Sequence, residues 1–260
     1  MDIVNTYYKS YVEEERLIKN NSHKVEFLTT VHVLEDLIPP HAKLLDIGAG
    51  TGRYSFFYAE KGHQVTALEF ADANVETLKG KQAALSYENL AIQQGDARDL
   101  SSFGDNSFDV VLCMGPLYHL GKKQDQQQCI REALRVLKPD GILALAYINK
   151  HAAVALHTKG EENFLLSEAF INLLHHGREF NDERDCFFFT KPREIEAMAA
   201  ALGARKLFNT ATDGIAYLLS ERLNNIDDTQ FQAWMHYHLS TCKDPALLGH
   251  TLHGLYVCNK

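Results

Sequence analysis

One stretch decides the fold of this chain: Lys43-Leu44-Leu45-Asp46-Ile47-Gly48-Ala49-Gly50-Thr51-Gly52-Arg53. A short apolar run carries an acid near its end, three glycines then alternate with small residues, and a helical pattern begins at Tyr54. Glycine permits backbone angles that other residues avoid, and it lets a ligand approach the main chain closely. The stretch therefore predicts a parallel strand, a tight turn and a helix start that together face a ligand.

Helical and strand patterns alternate along the chain on the C-terminal side of this turn. Apolar runs bounded by turn residues predict strands, and apolar positions at helical spacing predict helices. The predicted strands are 43–47, 64–70, 90–94, 108–114, 142–148, 205–212 and 252–258, and the predicted helices between them are 54–61, 74–84, 124–137 and 192–202. Such alternation is typical of a doubly wound α/β sheet, whose ligands bind at the carboxyl ends of the strands.

The spacing of the glycines distinguishes two classes of nucleotide-binding fold. A dinucleotide fingerprint reads G-x-G-x-x-G, whereas this turn reads G-x-G-x-G, with Asp46 two positions ahead of the first glycine. Residues 43–148 resemble the class I S-adenosylmethionine-dependent methyltransferases, whose motif is an acidic residue followed by x-G-x-G-x-G. Further motifs follow in the family's order: Glu69 at the second strand end, Gly95-Asp96-Ala97, and Lys138-Pro139-Asp140-Gly141 in place of the family's K-P-G-G.

The resemblance implies a Rossmann-like sheet of seven mostly parallel strands, with the last strand antiparallel, and S-adenosyl-L-methionine as the cofactor. It assigns Glu69 to the ribose hydroxyls, the Asp96 carboxylate to the exocyclic amine of adenine, and the Ala97 amide to a ring nitrogen. The full set of cofactor-binding residues expected on this basis is Asp46, Gly48, Ala49, Gly50, Gly52, Glu69, Phe70, Asp96, Ala97, Met114, Gly115, Arg16 and Tyr11.

Two helical patterns, at residues 2–20 and 25–38, precede the first strand and end at Pro39-Pro40. We expect them to form a helical cap on the sheet or on its ligand mouth. Related small-molecule methyltransferases close the cofactor pocket with an N-terminal helix that carries aromatic and basic side chains. By this resemblance Tyr7, Tyr11 and Arg16 are pocket candidates, with simple packing as the alternative for the tyrosines.

The methyl group should lie at the end of the fourth strand, so the catalytic candidates come from Met114 to His119. His119 is the candidate base, because an unperturbed imidazole titrates near neutrality; Tyr118 is a candidate contact to cofactor or substrate. The alternative for His119 is a capping or packing role. Other possible pocket members are His151, His157, His175, His176, His236 and His238. Methyltransferases that modify adenine or glutamine amines carry [N/D]-P-P-[F/Y] here, whereas this chain reads Met114-Gly115-Pro116-Leu117, which disfavours that chemistry.

The chain is predicted to form one methyltransferase domain over residues 1–260. Its expected parts are an N-terminal helical cap at 1–40, a cofactor-binding core at 41–148, a helical lid that holds the substrate at 149–190, and the rest of the sheet with its helices at 191–260. Helices are expected at 151–157 and 162–176 in the lid, and at 216–222 and 229–240 after it.

The amino-acid composition narrows the classes of partner that the chain could bind. The 26 lysines and arginines against 34 aspartates and glutamates give a net charge of −8, which disfavours binding to a phosphate backbone. The five scattered cysteines form no C-x-x-C pair, and no acidic cluster indicates a magnesium site, so no metal is expected. The polar N-terminus and the lack of a long apolar run predict a soluble, cytoplasmic protein, monomeric or homodimeric.

The favoured function is transfer of a methyl group from S-adenosylmethionine to a small molecule by in-line displacement. An RNA or protein methyltransferase is the first alternative, and a non-catalytic S-adenosylmethionine-binding protein is the second. A nicotinamide-dependent dehydrogenase is disfavoured by the G-x-G-x-G spacing. The identity of the acceptor atom stays open at this point.

Overall fold

The computed structural model describes residues 2–11, 13–180 and 185–260. The first half of the chain carries the elements α1 Asp2–Ser10, α2 Asn21–Glu35, β1 Lys43–Ile47, α3 Arg53–Glu60, β2 Gln64–Glu69, α4 Asp72–Leu85, β3 Leu90–Gln94, β4 Phe108–Cys113 and α5 Lys123–Val136. The second half carries β5 Leu137–Ile148, α6 Lys150–Gly160, α7 Glu168–His176, α8 Pro192–Ala200, β6 Arg205–Ala211, α9 Ser220–Leu223, α10 Asp228–Thr241 and β7 His253–Asn259.

The strands form one seven-stranded sheet in the order β3-β2-β1-β4-β5-β7-β6. Strands β1 to β5 pair in parallel, while β7 is antiparallel to both β5 and β6. The strand order reverses beside β1, between β1 and β4, and it is there that open α/β sheets bind their ligands. The predicted fold class, including the antiparallel last strand, is confirmed.

Both faces of the sheet are buried, which explains why its central strands are mostly apolar. Alternate residues of one strand, such as Leu44 and Leu45, point to opposite faces and enter two separate cores. One core takes Val33 and Leu34 of α2 together with residues of α3 and α4. The other core takes residues of α5 and α8, among them Ile130. The sheet is thus fixed from both sides, and its carboxyl edge stays free to form a site.

The N-terminal prediction is wrong in its boundaries. Instead of one helical stretch over 2–20, α1 ends at Ser10, and a single 3₁₀ turn, Glu13–Glu15, follows; Val12 lies outside the described residues. The second helix begins at Asn21, four residues before the first residue of the predicted pattern, because the Asn20 side chain caps the amide of His23 at 3.3 Å. The connection between the helices therefore bends, and this bend brings Glu13 and Arg16 over the sheet edge.

Three further boundaries differ from the sequence prediction. Strand β5 begins at Leu137, so the expected Lys138–Gly141 turn is a bulge within the strand, where Asp140 adopts φ 60°. The helix predicted at 216–222 contracts to α9, which begins only at Ser220. The lid helix predicted at 162–176 is interrupted at Ser167, whose side chain caps α7 through the amide of Phe170. Residues 181–184 of the predicted lid lie outside the described residues.

Candidate functional site

A cavity of about 910 Å³, open to solvent, lies at the carboxyl edge of β1, β2 and β4. It collects residues from four separate loops and from the N-terminal segment, as expected for the edge of a parallel sheet. Of the predicted cofactor residues its lining includes Asp46, Gly48, Ala49, Gly50, Glu69, Phe70, Asp96, Ala97, Met114, Gly115 and Arg16, together with the catalytic candidates Tyr118 and His119. We call this space the first cavity.

The glycine turn has the open main-chain geometry that its sequence predicts. Gly48 and Gly50 have φ values of 70° and 56°, in the left-handed region that glycine tolerates best. A Cβ at Gly48 would lie 2.6 Å from Cδ of Pro116, and one at Gly50 would meet Cγ of Glu13 at 3.4 Å. Glycine is therefore required for both backbone angle and space at Gly48, and it keeps the cavity mouth open at Gly50.

Gly52 does not line the first cavity. It precedes α3 with φ 90°, and a Cβ there would lie 2.8 Å from the ring of Phe56 and would also overlap the Leu78 side chain. This glycine is required for packing between α3 and α4, on the side of the turn away from the cavity. Because the three glycines are regularly spaced, all three were expected to contact the cofactor, although the turn directs the third into the core.

Asp46 is fully buried at the end of β1 and borders the first cavity. The Ser55 hydroxyl donates to its Oδ2 at 2.6 Å, while Oδ1 has no hydrogen-bond partner among the described residues. Burial raises the pKa of Asp46 to about 7, against the opposing hydrogen bond from Ser55. A buried acceptor atom without a donor is costly, so a ligand that brings a donor or a positive charge would stabilise this residue.

Glu69 ends β2 and holds the loops around it through three hydrogen bonds. Its carboxylate accepts from the amide of Gly50 at 2.8 Å, from the amide of Ala71 at 2.8 Å, and from Nδ2 of Asn74 at 3.4 Å. Burial raises the pKa of Glu69, although these hydrogen bonds oppose the rise. The side chain thus joins the glycine turn to the start of α4 while it borders the cavity.

Asp96 is paired with Arg98, a residue that the sequence analysis did not single out. Nε of Arg98 lies 3.0 Å from Oδ1, its NH2 nitrogen lies 2.6 Å from Oδ2, and the Arg98 amide also donates to Oδ1 at 2.9 Å. Partial burial raises the pKa of Asp96, but the hydrogen bonds and charge of Arg98 outweigh this and lower it overall. The remaining guanidinium nitrogen of Arg98, NH1, donates to Asp125 at 3.2 Å.

The N-terminal segment forms one wall of the first cavity and is held there by ion pairs. Arg16 binds Glu13 at 2.9 Å through Nε, and its NH1 nitrogen binds Glu26 of α2 at 2.8 Å. Lys81 of α4 contacts Glu14 at 2.9 Å and also donates to the carbonyl of Thr51 in the glycine turn. These contacts hold the bend between α1 and α2 against the turn.

A second cavity, which is also open to solvent and measures about 1350 Å³ with that open space included, adjoins the first and shares Tyr8, Glu13, Arg16 and Tyr118 with it. Its other walls come from α1, the lid and the β7 edge, and they are rich in aromatic rings: Tyr7, Tyr11, Phe187, Phe189 and Tyr217. Tyr7 stacks on Tyr11, with ring centroids 5.0 Å apart. Tyr11, expected at the cofactor, therefore borders the second cavity and not the first.

His119 makes hydrogen bonds through both ring nitrogens. Its Nδ1 lies 2.8 Å from the carbonyl of Cys186, which can only accept, and its Nε2 lies 3.0 Å from the hydroxyl of Tyr8. Burial lowers the pKa of His119 to about 4. The Tyr118 hydroxyl donates to the carbonyl of Met114 at 2.7 Å. Tyr118 thus supports main chain at the end of β4, whereas His119 supports the segment after α7, and this geometry disfavours His119 as a base.

Of the six other candidate histidines, His157 alone lines the second cavity. Its Nδ1 lies 2.7 Å from Glu161 and its Nε2 lies 3.1 Å from Glu179, which raises the pKa of His157 to about 9, with the Glu179 hydrogen bond as the largest cause. His238 is buried against the carbonyl of Thr212. The remaining four are absent from the lining of both cavities.

Sequence reasoning missed His253, the first residue of β7, and its partner Asp213. Nδ1 of His253 lies 2.8 Å from Oδ2 of Asp213, and both residues line the second cavity. The two are separated by 40 residues, so no local motif marks the pair. The predicted strands nevertheless gave a signal, because Asp213 directly follows the predicted strand 205–212 and His253 lies at the start of the predicted strand 252–258.

In the part of the chain that the structure describes, no group of three or more histidine, cysteine or acidic side chains could hold a metal ion. The helices of the same residues include none long and apolar enough to cross a membrane.

Residues 45–145 match a family model described as "Methyltransferase domain". The chain is 34% identical over 111 residues to YqeM of Bacillus subtilis, covering 42% of this chain and 44% of that protein. It is 33% identical over 159 residues to the "Ubiquinone biosynthesis O-methyltransferase" of Xanthomonas oryzae, covering 60% and 59%. The chain thus spans about half the length of these relatives.

Solved structures share the fold across nearly the whole chain. The CcbJ methyltransferase from Streptomyces caelestis superposes with a TM-score of 0.60 at 14% identity, covering 98% of this chain and 95% of that one. The structure titled "[4+2]-Cyclase SpnF" superposes with a TM-score of 0.56 at 19% identity, covering 90% and 80%. At these identities the likeness concerns the fold alone.

Proposed function

Because this chain carries a class I methyltransferase domain, we propose that it binds S-adenosylmethionine in the first cavity and transfers the methyl group to a small molecule held in the second. The observation that carries the proposal is the connection between the two cavities, which meet at Tyr8, Glu13, Arg16 and Tyr118. A donor and an acceptor that lie in connected cavities can be aligned for in-line displacement, and such positioning supplies several kcal/mol of barrier lowering.

The first cavity fits the proposed cofactor in its chemistry. The unpartnered Oδ1 of Asp46 would accept from the ammonium group of the methionine part, and the Glu69 carboxylate would accept from ribose hydroxyls. Asp96 and the Ala97 amide would contact the adenine, and Gly48, Ala49, Gly50, Phe70, Met114 and Gly115 would surround the rest. When bound, the cofactor supplies a sulfonium-activated methyl group. We assign Gly52 to packing, and we place Tyr11 and Tyr7 with the acceptor.

The N-terminal residues would enclose the reactants and exclude water. Arg16 lies on the wall between the cavities, and its ion pairs with Glu13 and Glu26 fix that wall. His119 donates to Cys186 and accepts from Tyr8, so we propose that it positions Tyr8 at the boundary. Tyr118 supports the Met114 carbonyl beside the methyl position.

A small-molecule acceptor is favoured over RNA or protein by the walls of the second cavity. Aromatic side chains from α1 and from the segment after α7 converge on it, and a concave pocket lined by aromatic rings suits a compact ligand. The net charge of −8 also gives a nucleic acid little attraction. One of the two relatives is named as an O-methyltransferase, and we propose that this chain catalyses the same class of reaction.

Calorimetric titration with S-adenosylmethionine, S-adenosylhomocysteine and NAD tests the cofactor directly. We expect micromolar binding of the first two and none of NAD. Binding of NAD alone would overturn the proposal and reassign Glu69 to a dehydrogenase ribose site.

The second candidate function is cofactor binding without methyl transfer. It is favoured by one comparison, in which the same fold belongs to a protein titled as a cyclase. The two candidates separate when the protein is incubated with S-adenosylmethionine and panels of small molecules and bulk RNA. Release of S-adenosylhomocysteine with a small molecule supports methyl transfer, whereas tight binding without release in any panel favours the second candidate.

A further inference from the structure

The second cavity contains one imidazole that is held by a carboxylate and retains a free nitrogen. Nδ1 of His253 lies 2.8 Å from Oδ2 of Asp213. The carboxylate can only accept, so Nδ1 carries the proton and Nε2 carries the lone pair of the neutral ring. No hydrogen-bond partner for Nε2 occurs among the described residues, and the His253 side chain is 24% exposed at the cavity.

Asp213 is itself fixed in place, which makes it a firm support for the ring. Its Oδ1 accepts from the hydroxyl of Thr251 at 2.7 Å, from the amide of Leu252 at 2.9 Å and from the amide of His253 at 3.0 Å. Its Oδ2 is left to face Nδ1. The loop before β7 therefore wraps around one carboxylate oxygen and presents the other to the imidazole, which is the arrangement that orients a base in acyl-transfer enzymes.

We propose that His253, positioned by Asp213, is the general base of the reaction, and that the acceptor in the second cavity is a phenol or an alcohol. This inference rests on the proposed function and specifies its acceptor class. The O–H bond of the acceptor breaks and its proton goes to Nε2. The electron pair stays on oxygen, which bonds to the methyl carbon, and the carbon–sulfur pair leaves on sulfur.

The competing groups in the cavity are already paired. Both nitrogens of His157 face carboxylates, so its ring has no lone pair to offer. His119 uses both nitrogens within the protein. The remaining imidazole, His23, is held through Nδ1 by the neutral amide oxygen of Asn20 at 2.7 Å, which gives it less basicity than a carboxylate would.

The pairing of the acidic side chains in the cavity favours a neutral acceptor over an ammonium group. Each acidic side chain of the lining already faces a basic one: Glu13 and Glu26 bind Arg16, Glu179 binds His157, and Asp213 binds His253. Among the described lining residues there is thus no unpaired carboxylate to hold a cation. The surrounding rings suit a flat aromatic body, and a phenol keeps its proton near neutral pH, so it needs a base.

The groups that set the titration of His253 come from three segments. Burial is the largest influence and lowers the pKa of His253, as does Arg16. Glu26 of α2, whose Oε2 lies 3.4 Å from Nδ1, and Asp213, on the loop after β6, raise the pKa and together outweigh the burial. His23 of α2 is the further titratable neighbour. The net rise in the pKa of His253 brings it closer to the pKa of a phenol, so proton transfer from the phenol becomes less unfavourable.

Nuclear magnetic resonance of histidine-¹⁵N protein, with and without S-adenosylhomocysteine, tests the base without any acceptor. We expect His253 to be protonated on Nδ1 and bare on Nε2 in its neutral form. The Asp213→Asn variant turns an amide N–H toward Nδ1, so it should shift the tautomer to Nε2–H and lower the pKa of His253. A neutral ring protonated on Nε2 in the wild type, or a pKa unchanged by Asp213→Asn, overturns the inference whatever the kinetics show.

Kinetics with phenol probes (catechol and 3,4-dihydroxybenzoate) and amine probes (benzylamine and phenethylamine) test the acceptor class. The His253→Asn variant keeps a donor for Asp213 but lacks Nε2, so kcat on the phenols should fall about 100-fold or more and the acid limb of the pH profile should disappear. His23→Asn is the matched variant and should keep that limb. Turnover of amines only, or a phenol rate that persists in His253→Asn with its acid limb, contradicts the inference. If no probe turns over, the tautomer measurement decides.

These outcomes separate the inference from the proposed function. A wild-type protein that fails to bind S-adenosylhomocysteine overturns the proposed function, because that result concerns the first cavity. A protein that binds it normally but shows the wrong tautomer at His253 overturns only the assignment of the base.

Discussion

Glu69 and Gly50 lie on separate strand–turn units and are joined by a hydrogen bond of 2.8 Å from the glycine amide to Oε2. The acid that we propose to bind the ribose is therefore also the residue that holds the glycine turn. Its other oxygen accepts from the amide of Ala71, so both carboxylate oxygens support main chain at the cavity edge. We therefore expect both ligand binding and the order of the adjoining loops to depend on the Glu69 side chain.

The Glu69→Gln variant separates charge from shape. The amide must turn its N–H₂ group toward the amide of Gly50 or of Ala71, and one buried donor then loses its acceptor. We expect a loss of about 1–3 kcal/mol in the free energy of unfolding and weaker S-adenosylmethionine binding, measured by urea titration and calorimetry. The same change at exposed Glu76 in α4 is the control and should alter neither quantity. Wild-type stability in Glu69→Gln would contradict the bridging role.

Substitution of Gly50 should abolish cofactor binding through geometry alone. The Gly50→Val variant places a branched side chain at φ 56°, at a cost on the order of 1–2 kcal/mol or more, and directs it toward Glu13 at the cavity mouth. Gly80 of α4 is the matched control, because a Cβ there meets nothing within 4 Å. Gly80→Ala should raise stability by about 0.5–1 kcal/mol and leave calorimetric affinity intact. Normal binding by Gly50→Val would mean that the turn is only structural.

Asp96→Ala should weaken S-adenosylmethionine binding about tenfold or more, since a hydrogen bond to a charged group is worth about 1.5–3 kcal/mol. Folding should change less, because Arg98 keeps its contact with Asp125 at 3.2 Å. Asp125→Ala provides the comparison, as it removes the other partner of Arg98 and leaves the pair with Asp96. Equal affinities in the wild type and Asp96→Ala would remove Asp96 from the adenine site.

The ion pairs of His157 make the lid sensitive to alkaline pH. The pKa of His157 is about 9 in the folded chain, above its usual 6.5, so its stabilisation is complete below pH 6.5 and is lost as the pH rises through 9. We expect amide exchange in α6 and α7, corrected for its intrinsic pH dependence, to accelerate over this range. Glu179→Gln should produce a larger acceleration than Glu161→Gln, because Glu179 is the less exposed partner. Exchange that does not vary with pH would contradict the anchoring role.

The sequence predicted the parts of the site that follow directly from local order. Each loop of the first cavity follows a strand, so Asp46, Glu69 and Asp96 were brought together by topology alone. The K-P-D-G motif was placed correctly, but its conformation depends on pairing with β4 and could not be read locally. Residues 45–145 match a methyltransferase-domain model and solved structures share the predicted fold, while the single domain over 1–260 and its division into cap, core, lid and C-terminal part stay predictions.

Residues whose roles depend on distant partners were harder to predict. The sequence analysis selected Tyr7 and Tyr11 as pocket candidates and left out Tyr8, because the contact of Tyr8 to His119 is set by tertiary packing and not by local sequence. His119 has the expected position but a different environment, since burial and the Cys186 carbonyl determine its protonation. His253 escaped notice because its carboxylate partner comes from another loop.

The two cavities draw on the chain in different ways. Most of the first is encoded without interruption between residues 46 and 120, whereas the second is assembled from the start of the chain, from its middle and from its last strand. A cofactor site of this kind can be inherited as one block of sequence, and the family match over residues 45–145 corresponds to such a block. The proposed acceptor site is instead assembled from separate segments of the chain. Each wall of that site comes from a different segment and can change independently of the others. We therefore expect chimaeras that exchange the outer segments to alter acceptor choice without changing residues 46–120.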